Sequence, residues 1–307
     1  MTSASPILVT GTSGQVGGEV ATLIQLRTQP VLTPTSAEMN LASPDAIRAY
    51  LRKHRPSWII NAAAYTAVDK AESEVELAES INAVAPGVLG EEAAKLHIPI
   101  IHFSTDYVFA GDGTKPWVES DPTTPLNVYG RTKLQGEQAL TDSGAAYMVF
   151  RTSWVYGATG KNFFRTILRV ARERESMNIV ADQFGAPTWA RDLARLALHV
   201  IDRTSSDTEA AKYLTGIYHA CNTGETTWFG FAEEILRQAS NYEPHVKFAT
   251  LHPVPTEAYP TPAKRPANSR MDCSLLAAKL GFTMPDWHDS LAVVSREYDQ
   301  LRIAGSL

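Results

Sequence analysis

Two residues with proton-transfer chemistry, Tyr129 and Lys133, lie four positions apart at the start of a helical pattern. On a helix they share one face, so the lysine ammonium can lie near the phenol. A phenol has a pKa of about 10, and a nearby cation favours the phenolate and lowers that pKa. The pair can then serve as an acid or a base. A plain amphipathic surface is the usual meaning of this spacing alone.

A hydroxyl follows a strand-like apolar run upstream of that pair. The run from Ile98 to Phe103 ends in Ser104-Thr105-Asp106-Tyr107. The carboxyl end of a parallel strand points into the crevice where such sheets bind ligands. The sequence therefore predicts that Thr105 and the Tyr-x-x-x-Lys pair share one crevice.

A glycine-rich turn follows the first apolar run of the chain and precedes a helical pattern. Gly11 allows a tight turn, Gly14 lets backbone approach a pyrophosphate, and Gly17 lets the helix pack on the strand. The helix start offers free N–H groups and a favourable dipole to phosphates. A merely tight turn is the alternative, and the preceding strand favours dinucleotide binding. The predicted cofactor-binding residues of this turn are Gly11, Ser13, Gly14, Gln15, Val16 and Gly17.

The residues expected at the end of the second strand bear on which dinucleotide binds. A site for NAD usually has an acid there that holds the ribose 2′-hydroxyl. Here the stretch from Pro30 to Ser36 has hydroxyls and no acid before Glu38. Hydroxyls tolerate a 2′-phosphate and can hydrogen-bond to it. We therefore expect a preference for NADPH, with NADH as a second cofactor.

Alternating strands and helices are needed to bring these residues together, and the first half of the chain has that pattern. Ser43-Pro44-Asp45 is typical of a helix start, and Glu72 to Leu96 forms a further helical stretch. This order predicts a parallel sheet covered on both faces. The strand-like runs are Ile7-Leu8-Val9, Trp58-Ile59-Ile60, Ile98 to Phe103 and Tyr147 to Phe150.

The pattern changes after about residue 152. Helical stretches from Asn162 to Glu175, Ala190 to Arg203 and Thr227 to Gln238 alternate with short apolar runs at 178–180 and 217–219. Five prolines between His252 and Pro266 predict an ordered loop, because proline interrupts helices and central strands. A loop of that length is more often functional than idle.

Composition is that of a globular enzyme. The chain has 307 residues, of which 44% are hydrophobic and 20% charged, and its net charge is -5. The length favours one large α/β domain or two unequal lobes. The chain has no excess of basic residues that would indicate a nucleic-acid or membrane-surface partner.

Two cysteines exclude a disulfide framework and a cysteine metal cluster. Residues 1–6 have no signal-peptide pattern and no apolar run spans a bilayer, so we expect a cytoplasmic protein.

Together the glycine turn, the strand-end hydroxyl and the Tyr-x-x-x-Lys pair resemble the extended short-chain dehydrogenase/reductase superfamily. The resemblance implies an α/β fold: a Rossmann-type doubly wound parallel sheet with a smaller C-terminal α/β substrate domain for nucleotide-linked sugars. We expect the NAD(P)-binding domain at 1–152 and the substrate domain at 153–307, partly returning to the first sheet.

The chain is more similar still to the dTDP-4-dehydrorhamnose reductase family. The stretches that carry this resemblance are 14–17, 61–72, 104–109, 125–130, 151–156, 182–188, 258–263, 265–266 and 268–270. The resemblance implies reduction of the C4 ketone of dTDP-4-dehydro-β-L-rhamnose to dTDP-β-L-rhamnose, the last step of that pathway. It also implies that Tyr129 protonates the developing alkoxide, that Lys133 binds the nicotinamide ribose and tunes Tyr129, and that Thr105 hydrogen-bonds the substrate oxygen.

Further site residues are suggested by the same resemblance. Small side chains at 62–64 let the cofactor lie close to the backbone, although alanines packed at a strand end explain them equally well. Three candidates for the sugar-facing wall are as readily core residues. Two arginines can pair with the pyrophosphate of the sugar nucleotide or lie solvated at the surface. These candidates are Ala62, Ala63 and Ala64 for the cofactor, Val68, Tyr107 and Trp154 for the sugar, and Arg265 and Arg270 for the pyrophosphate.

No metal site is expected. The eight histidines have no ligand spacing. Some relatives are thought to hold magnesium between acidic side chains at a dimer contact. Where one such glutamate is expected this chain has Arg191, which would repel a cation, although Glu19 remains. We expect that any homodimer is not metal-bridged.

Three rivals share these motifs. Sugar-nucleotide 4,6-dehydratases need a second acid after the strand-end threonine, and here Tyr107 follows Asp106. Another sugar-nucleotide reductase or an epimerase is the weaker enzyme alternative. The rival from another class is a non-catalytic relative of the methionine adenosyltransferase regulatory-subunit type. Such a protein need not keep Tyr129, Lys133 and an intact glycine turn, and this chain keeps all of them.

Overall fold

Runs of branched and aromatic residues form a six-stranded parallel sheet in the computed structural model, which describes residues 5–204 and 208–306. Within those ranges the strands are β1 Ile7–Thr10, β2 Val31–Leu32, β3 Trp58–Asn61, β4 Ile100–Thr105, β5 Tyr147–Thr152, β6 Val155–Tyr156, β7 Ser176–Val180, β8 Phe184–Gly185, β9 Thr188–Trp189, β10 Gly216–His219, β11 Thr226–Thr227 and β12 Thr250–Val254. The main sheet has the order β10-β5-β4-β3-β1-β2. The remaining strands form three two-stranded sheets.

Helices cover both faces of the main sheet. In the same ranges the α-helices are α1 Gln15–Leu26, α2 Pro44–His54, α3 Val68–Ala71, α4 Val75–Glu79, α5 Ala85–Leu96, α6 Val128–Thr141, α7 Phe163–Glu173, α8 Ala190–Thr204, α9 Thr208–Tyr213, α10 Trp228–Tyr242, α11 Ser274–Leu280 and α12 Trp287–Ile303. None of these helices is long and apolar enough to cross a membrane.

Alternating side chains of the central strands pack into two different cores. Val9 packs with Ile24 of α1 and Leu193 of α8 on one face. Leu8 packs with Leu51 of α2 and Leu89 of α5 on the other. Because both faces bury apolar residues, the strands read as continuous apolar runs, as in doubly wound sheets. The predicted α/β class with a Rossmann-type sheet is confirmed.

Strand order reverses between β1 and β3, since β2 lies on one side of β1 and β3 on the other. In doubly wound sheets, ligands bind outside the carboxyl ends of the strands at such a point. The chain leaves β1 into the glycine turn and leaves β3 into Ala62-Ala63-Ala64. The topology therefore brings two of the predicted cofactor segments side by side.

One predicted helix is broken in the structure. The stretch from Glu72 to Leu96 contains α4, a π-helical turn at Ser80–Val84, and α5. Asn82 lies in that turn, where its amide bonds both backbone groups of Tyr65 at 2.8 and 3.1 Å and contacts the Thr132 hydroxyl at 3.2 Å. A Cβ on Gly136 would lie 2.0 Å from the Asn82 carbonyl oxygen, so the turn presses closely against α6.

The predicted loop over 252–266 is partly wrong. Its first residues belong to β12, which pairs in parallel with β7. Pro253 is tolerated there because a strand with one partner leaves half of its backbone donors outside the ladder. A 3₁₀ turn at Thr256–Ala258 follows, and the rest is irregular.

The second half builds its own core and also returns to the first sheet. Phe164, Phe231 and Trp287 bring α7, α10 and α12 together in a separate apolar cluster. β10 pairs with β5 at the edge of the main sheet, and α8 packs against α1. A division at residue 152 stays a prediction.

Candidate active site

The glycine turn is shaped by close backbone contacts. Gly11 has φ +69°, and a Cβ on it would lie 2.7 Å from the Ala63 backbone. A Cβ on Gly17 would lie 2.4 Å from the Gly11 carbonyl oxygen. Helix α1 begins without a side-chain cap and has no acid in its first turn. Its first N–H groups are therefore available to an anion.

The other predicted residues of the cofactor segments surround this turn. Ser13 and Gly14 are exposed and Val16 is partly buried against the main core. Gln15 contacts the second half of the chain, where its amide lies 3.4 Å from the Val155 carbonyl oxygen. The Ala63 N–H donates to Thr10 Oγ1 at 3.2 Å. An uncapped helix start beside close-packed glycines is the kind of site that binds the phosphates of a dinucleotide.

Thr105 and Tyr129 meet at the carboxyl end of β4. Thr105 closes that strand, and its hydroxyl lies close enough to the Tyr129 phenol to oppose the rise in the pKa of that phenol. Asn127 caps the start of helix α6, and its Oδ1 accepts from the Gly130 N–H at 2.8 Å. Burial is the main factor that raises the pKa of Tyr129 above its usual value, and the nearby Asp106 raises it further. The phenol therefore keeps its proton at neutral pH.

Lys133 lies one helical turn beyond Tyr129 and is 1% exposed. Its Nζ donates to the Phe103 carbonyl oxygen at 2.7 Å and lies 3.1 Å from His102 Nε2. Burial lowers the pKa of Lys133 to about 8, and Glu137 opposes that shift. The cation is thus anchored on the sheet, whereas the sequence favoured an ammonium beside the phenol that lowers its pKa.

Asp106 adds a buried carboxyl to the site. It is 3% exposed, and Thr105 Oγ1 donates to its Oδ1 at 3.1 Å. Burial raises the pKa of Asp106 to about 6. Burial likewise raises the pKa of the adjacent Tyr107 to about 12, and the Tyr107 ring lies edge-on to Tyr129 with centroids 5.5 Å apart.

Three of the predicted substrate residues lie on one side of Tyr129. Val68 begins α3, and the next residue, Asp69, accepts from Arg265 Nη2 at 2.7 Å. Arg265 also lies near the Tyr107 phenol, where its charge opposes the rise in the pKa of Tyr107. Asp69 further accepts from the Ala263 N–H at 3.2 Å. The proline-rich segment is thereby fixed over α3.

Trp154 lies on a second wall with a positive φ of 48°. Its ring stacks on Trp228 at 3.7 Å between centroids. Gly185 leaves space for it, since a Cβ there would lie 2.8 Å from the indole. Trp228 donates through Nε1 to Gln183 at 3.2 Å. An unfavourable backbone conformation held by packing on three sides is typical of functional sites.

Arg270 is next to this wall rather than free at the surface. Its guanidinium lies 4.5 Å from the centroid of the Phe184 ring and donates to the Thr114 carbonyl oxygen. Its Nε lies 3.3 Å from a carboxylate oxygen of Glu225. Ser269 lies close enough to Asp106 to oppose the rise in its pKa, so this segment borders the catalytic candidates.

Arg191 joins distant helices. It donates to Glu19 of α1 at 2.7 Å and to Glu297 of α12 at 2.7 Å, and it lies 4.8 Å from the centroid of the Trp189 ring. One guanidinium thus pairs with both carboxylates. We call Glu19, Arg191 and Glu297 the arginine clamp.

At the end of β2, Thr35 is held by Glu38. Both the N–H and the hydroxyl of Thr35 donate to one oxygen of that carboxylate, at 2.8 and 2.9 Å. These bonds lower the pKa of Glu38. A carboxylate is thus present where the sequence indicated only hydroxyls.

Sequence reasoning missed His102, Asp69 and the role of Asp106 as a buried acid. His102 lies inside an apolar strand and has no ligand spacing, so its sequence context indicates only core. Asp69 and Arg265 are 196 residues apart, and no local pattern pairs them. Asp106 alone had a signal, a charged residue directly after a buried strand.

Fold and site together define a Rossmann-type oxidoreductase of the short-chain dehydrogenase/reductase kind. The family model for the RmlD substrate binding domain matches residues 5–300. The dTDP-4-dehydrorhamnose reductase of Burkholderia thailandensis is 42% identical over 294 residues, covering 95% of this chain and 98% of that protein. This chain belongs to the dTDP-4-dehydrorhamnose reductase family.

Solved structures agree with that assignment. A dTDP-4-dehydrorhamnose reductase from Clostridium acetobutylicum has a TM-score of 0.87 and 33% identity, covering 95% of this chain and 99% of that one. The enzyme from Bacillus anthracis, solved in complex with NADP, has a TM-score of 0.86 and 32% identity, with 96% and 99% covered.

Proposed function

We propose that this chain reduces the C4 ketone of dTDP-4-dehydro-β-L-rhamnose to dTDP-β-L-rhamnose, the last step of dTDP-rhamnose biosynthesis. The membership of the family, over nearly the whole chain, supports the reaction. The single structural observation that carries it is the placement of Thr105, at the carboxyl end of β4, beside Tyr129, with Lys133 one turn further along α6.

The cofactor is NADPH, which supplies a hydride when bound. We assign the pyrophosphate to the glycine turn and the free N–H groups of α1. Ala62, Ala63 and Ala64 line the path of the dinucleotide because small side chains allow it to approach the backbone. Lys133 binds the nicotinamide ribose through hydrogens that its bonds to β4 leave free.

Tyr129 is the proposed proton donor. Its raised pKa keeps the phenol protonated until charge develops on the substrate oxygen, which is when a general acid is needed. Thr105 donates to the same oxygen and places it beside the phenol. The hydroxyl that Thr105 uses toward Asp106 is then redirected to the substrate.

The substrate lies between the two walls of the site. Val68 and Tyr107 face the sugar from one side and Trp154 from the other. Arg265 offers the remaining hydrogens of its guanidinium to the pyrophosphate of the sugar nucleotide, and Arg270 does so from the opposite wall. Both arginines are already oriented by carboxylates, which lowers the entropy lost on binding.

Cofactor preference is proposed to favour NADPH with measurable use of NADH. The Thr35 hydroxyl can accept or donate at a 2′-phosphate, while Glu38 can hold a 2′-hydroxyl. Comparison of kcat/KM for the two cofactors tests this proposal, and a strong preference for NADH would refute it.

For the assembly, we propose that no metal bridges two copies and that the protein acts in the cytoplasm. In the arginine clamp the Arg191 guanidinium already pairs with both Glu19 and Glu297, and its positive charge would repel a metal cation there. Light scattering with and without a chelator is the test. A dimer that dissociates on chelation would contradict this proposal.

The decisive experiment is oxidation of NADPH in the presence and absence of the dTDP-4-keto sugar. Sugar-dependent oxidation with formation of dTDP-rhamnose is expected. A preparation that binds NADPH but never turns over would favour a regulatory relative. Turnover that yields an epimer or a dehydrated sugar would favour the enzyme rivals.

A further inference from the structure

A row of buried polar side chains crosses the sheet beneath the proposed cofactor site. Thr10, Asn61 and His102 are register partners on β1, β3 and β4, so they lie on one face of the sheet. Thr10 Oγ1 lies 2.6 Å from Asn61 Oδ1, and Asn61 Nδ2 lies 3.0 Å from His102 Nδ1. His102 Nε2 lies 3.1 Å from Lys133 Nζ. The row connects the strand before the glycine turn to the lysine of α6.

Each donor in this row must face an acceptor, and this requirement restricts the tautomer of His102 and the orientation of the Asn61 amide. Burial, together with the Lys133 cation, lowers the pKa of His102 well below its usual value, so the ring is neutral with one donor and one acceptor. An ammonium has only hydrogens to give, so Nε2 must accept from it and the ring proton must lie on Nδ1. The Asn61 amide then has to present its oxygen to Nδ1, which is the reverse of the orientation in the structure, where Nδ2 faces Nδ1.

The opposite arrangement is also self-consistent. With the amide nitrogen of Asn61 toward the ring, Nδ1 accepts and Nε2 donates. Only an uncharged amine can accept that hydrogen, so this arrangement suits neutral Lys133. A turn of the amide by 180° interconverts the two. The Phe103 carbonyl oxygen accepts from Nζ in both cases and cannot distinguish them.

We propose that His102 is the positioning residue of Lys133, and that its ring tautomer and the Asn61 amide reverse together when Lys133 gains or loses its proton. The proposal rests on the proposed role of Lys133 at the cofactor. His102 then has two effects. It orients Lys133 Nζ, and its two tautomers offer an acceptor to the ammonium and a donor to the neutral amine.

Other charged groups near Lys133 come from three elements. Glu137 lies one turn further along α6 and favours the ammonium, while Arg151 of β5 binds Glu137 at 2.7 Å. Tyr129 faces the site from α6, and Asp106 follows β4. Glu137 is thus held in place independently of His102, so replacement of His102 leaves this ion pair intact.

Two matched variants distinguish the role of His102 Nε2 from the role of its Nδ1. His102→Gln can place an amide oxygen near the position of Nε2, whereas His102→Asn reaches only the position of Nδ1. We expect His102→Asn to lower kcat/KM for NADPH about ten- to a hundredfold and to move its alkaline limb to lower pH, because the ammonium loses an acceptor. His102→Gln should stay within about threefold of wild type. Thermal unfolding of both variants separates these effects from loss of fold.

The tautomer can be observed directly by ¹⁵N NMR of labelled imidazole, with the His102 signals assigned by their loss in His102→Gln. We expect the proton on Nδ1 below about pH 7 and on Nε2 above about pH 9, with no such change in Lys133→Met. One tautomer at all pH values, a change that survives in Lys133→Met, or wild-type kinetics in His102→Asn would overturn the proposal. NMR needs no turnover, so failure of the proposed reaction remains distinguishable.

Discussion

The cofactor side and the substrate side of the site are built in different ways. Thr105, His102 and Lys133 lie on the central strand β4 and the adjacent helix α6, and each is at most 5% exposed. Val68, Trp154 and Arg265 lie on a one-turn helix, a turn with positive φ and a proline-rich segment, and all are partly exposed. A strand and a helix position the residues proposed to act in the reaction, whereas paired side chains on irregular segments shape the substrate wall.

This comparison implies that substitutions on the cofactor side change the rate or the binding of NADPH, and those on the substrate side change affinity for the sugar. The largest effect is expected for Tyr129→Phe, which removes the proton donor and keeps the ring. We expect kcat to fall by about 10²–10⁴-fold with the fold intact, measured by sugar-dependent NADPH oxidation. Tyr213→Phe, at a residue that is 85% exposed, is the matched control. Near wild-type turnover of Tyr129→Phe would refute its role as the acid.

The next largest effect is expected for Gly17→Ala. The new Cβ would lie 2.4 Å from the Gly11 carbonyl oxygen, which is backbone and cannot rotate away. We expect α1 to shift, NADPH to bind about tenfold or more weakly, and the free energy of unfolding to fall by about 1–3 kcal/mol. Gly157→Ala is the control, because its Cβ would meet only Gln15 Oε1 at 3.4 Å. Titration by fluorescence and chemical denaturation measure both quantities; unchanged NADPH affinity would contradict the prediction.

On the substrate side, Arg265→Leu should act on binding alone. We expect KM for the sugar nucleotide to rise about tenfold while kcat and KM for NADPH change less than about threefold. Arg131→Leu removes an exposed arginine of α6 with only a 3.9 Å contact to Glu79 and serves as the control. A fall in kcat as large as that of Tyr129→Phe would abolish the distinction between the two sides.

The smallest effect is a pH dependence of the cofactor side. Burial lowers the pKa of Lys133 to about 8, so the ammonium is lost as pH rises through that value. We expect kcat/KM for NADPH to decline above about pH 8, since kcat/KM reports the free enzyme. Lys133→Arg keeps its charge, so the remaining activity of that variant should show no such limb. A flat wild-type profile between about pH 7 and 9 would contradict the low pKa.

Local sequence patterns predict the cofactor side well. The glycine turn, the strand ends and the Tyr-x-x-x-Lys helix are each encoded within about twenty residues, and each forms where it was expected. The Ser43 cap is likewise local: its Oγ accepts from the Ala46 N–H at 3.4 Å. Short-range geometry and buried apolar periodicity are sufficient for such elements.

The substrate side depends on contacts between distant segments. The Asp69–Arg265 pair, the Trp154–Trp228 stack and the pairing of β12 with β7 each join parts of the chain that no local pattern connects. The π-helical turn is similar, because Asn82 finds its partners in Tyr65 and Thr132 rather than in its own helix. The same holds for His102, whose partner Lys133 lies on another element.

The arginine clamp has a consequence for how the chain matures. Glu19 is synthesised before Arg191 and Glu297 after it, and Arg191 binds both. The main sheet is also complete only after β10 has been synthesised, and α1 is covered only after α8 has been synthesised. Nascent chains that end before residue 297 therefore lack the Arg191–Glu297 ion pair, which supports the contact of Arg191 with α1. Coenzyme binding is accordingly expected only after α12 has left the ribosome.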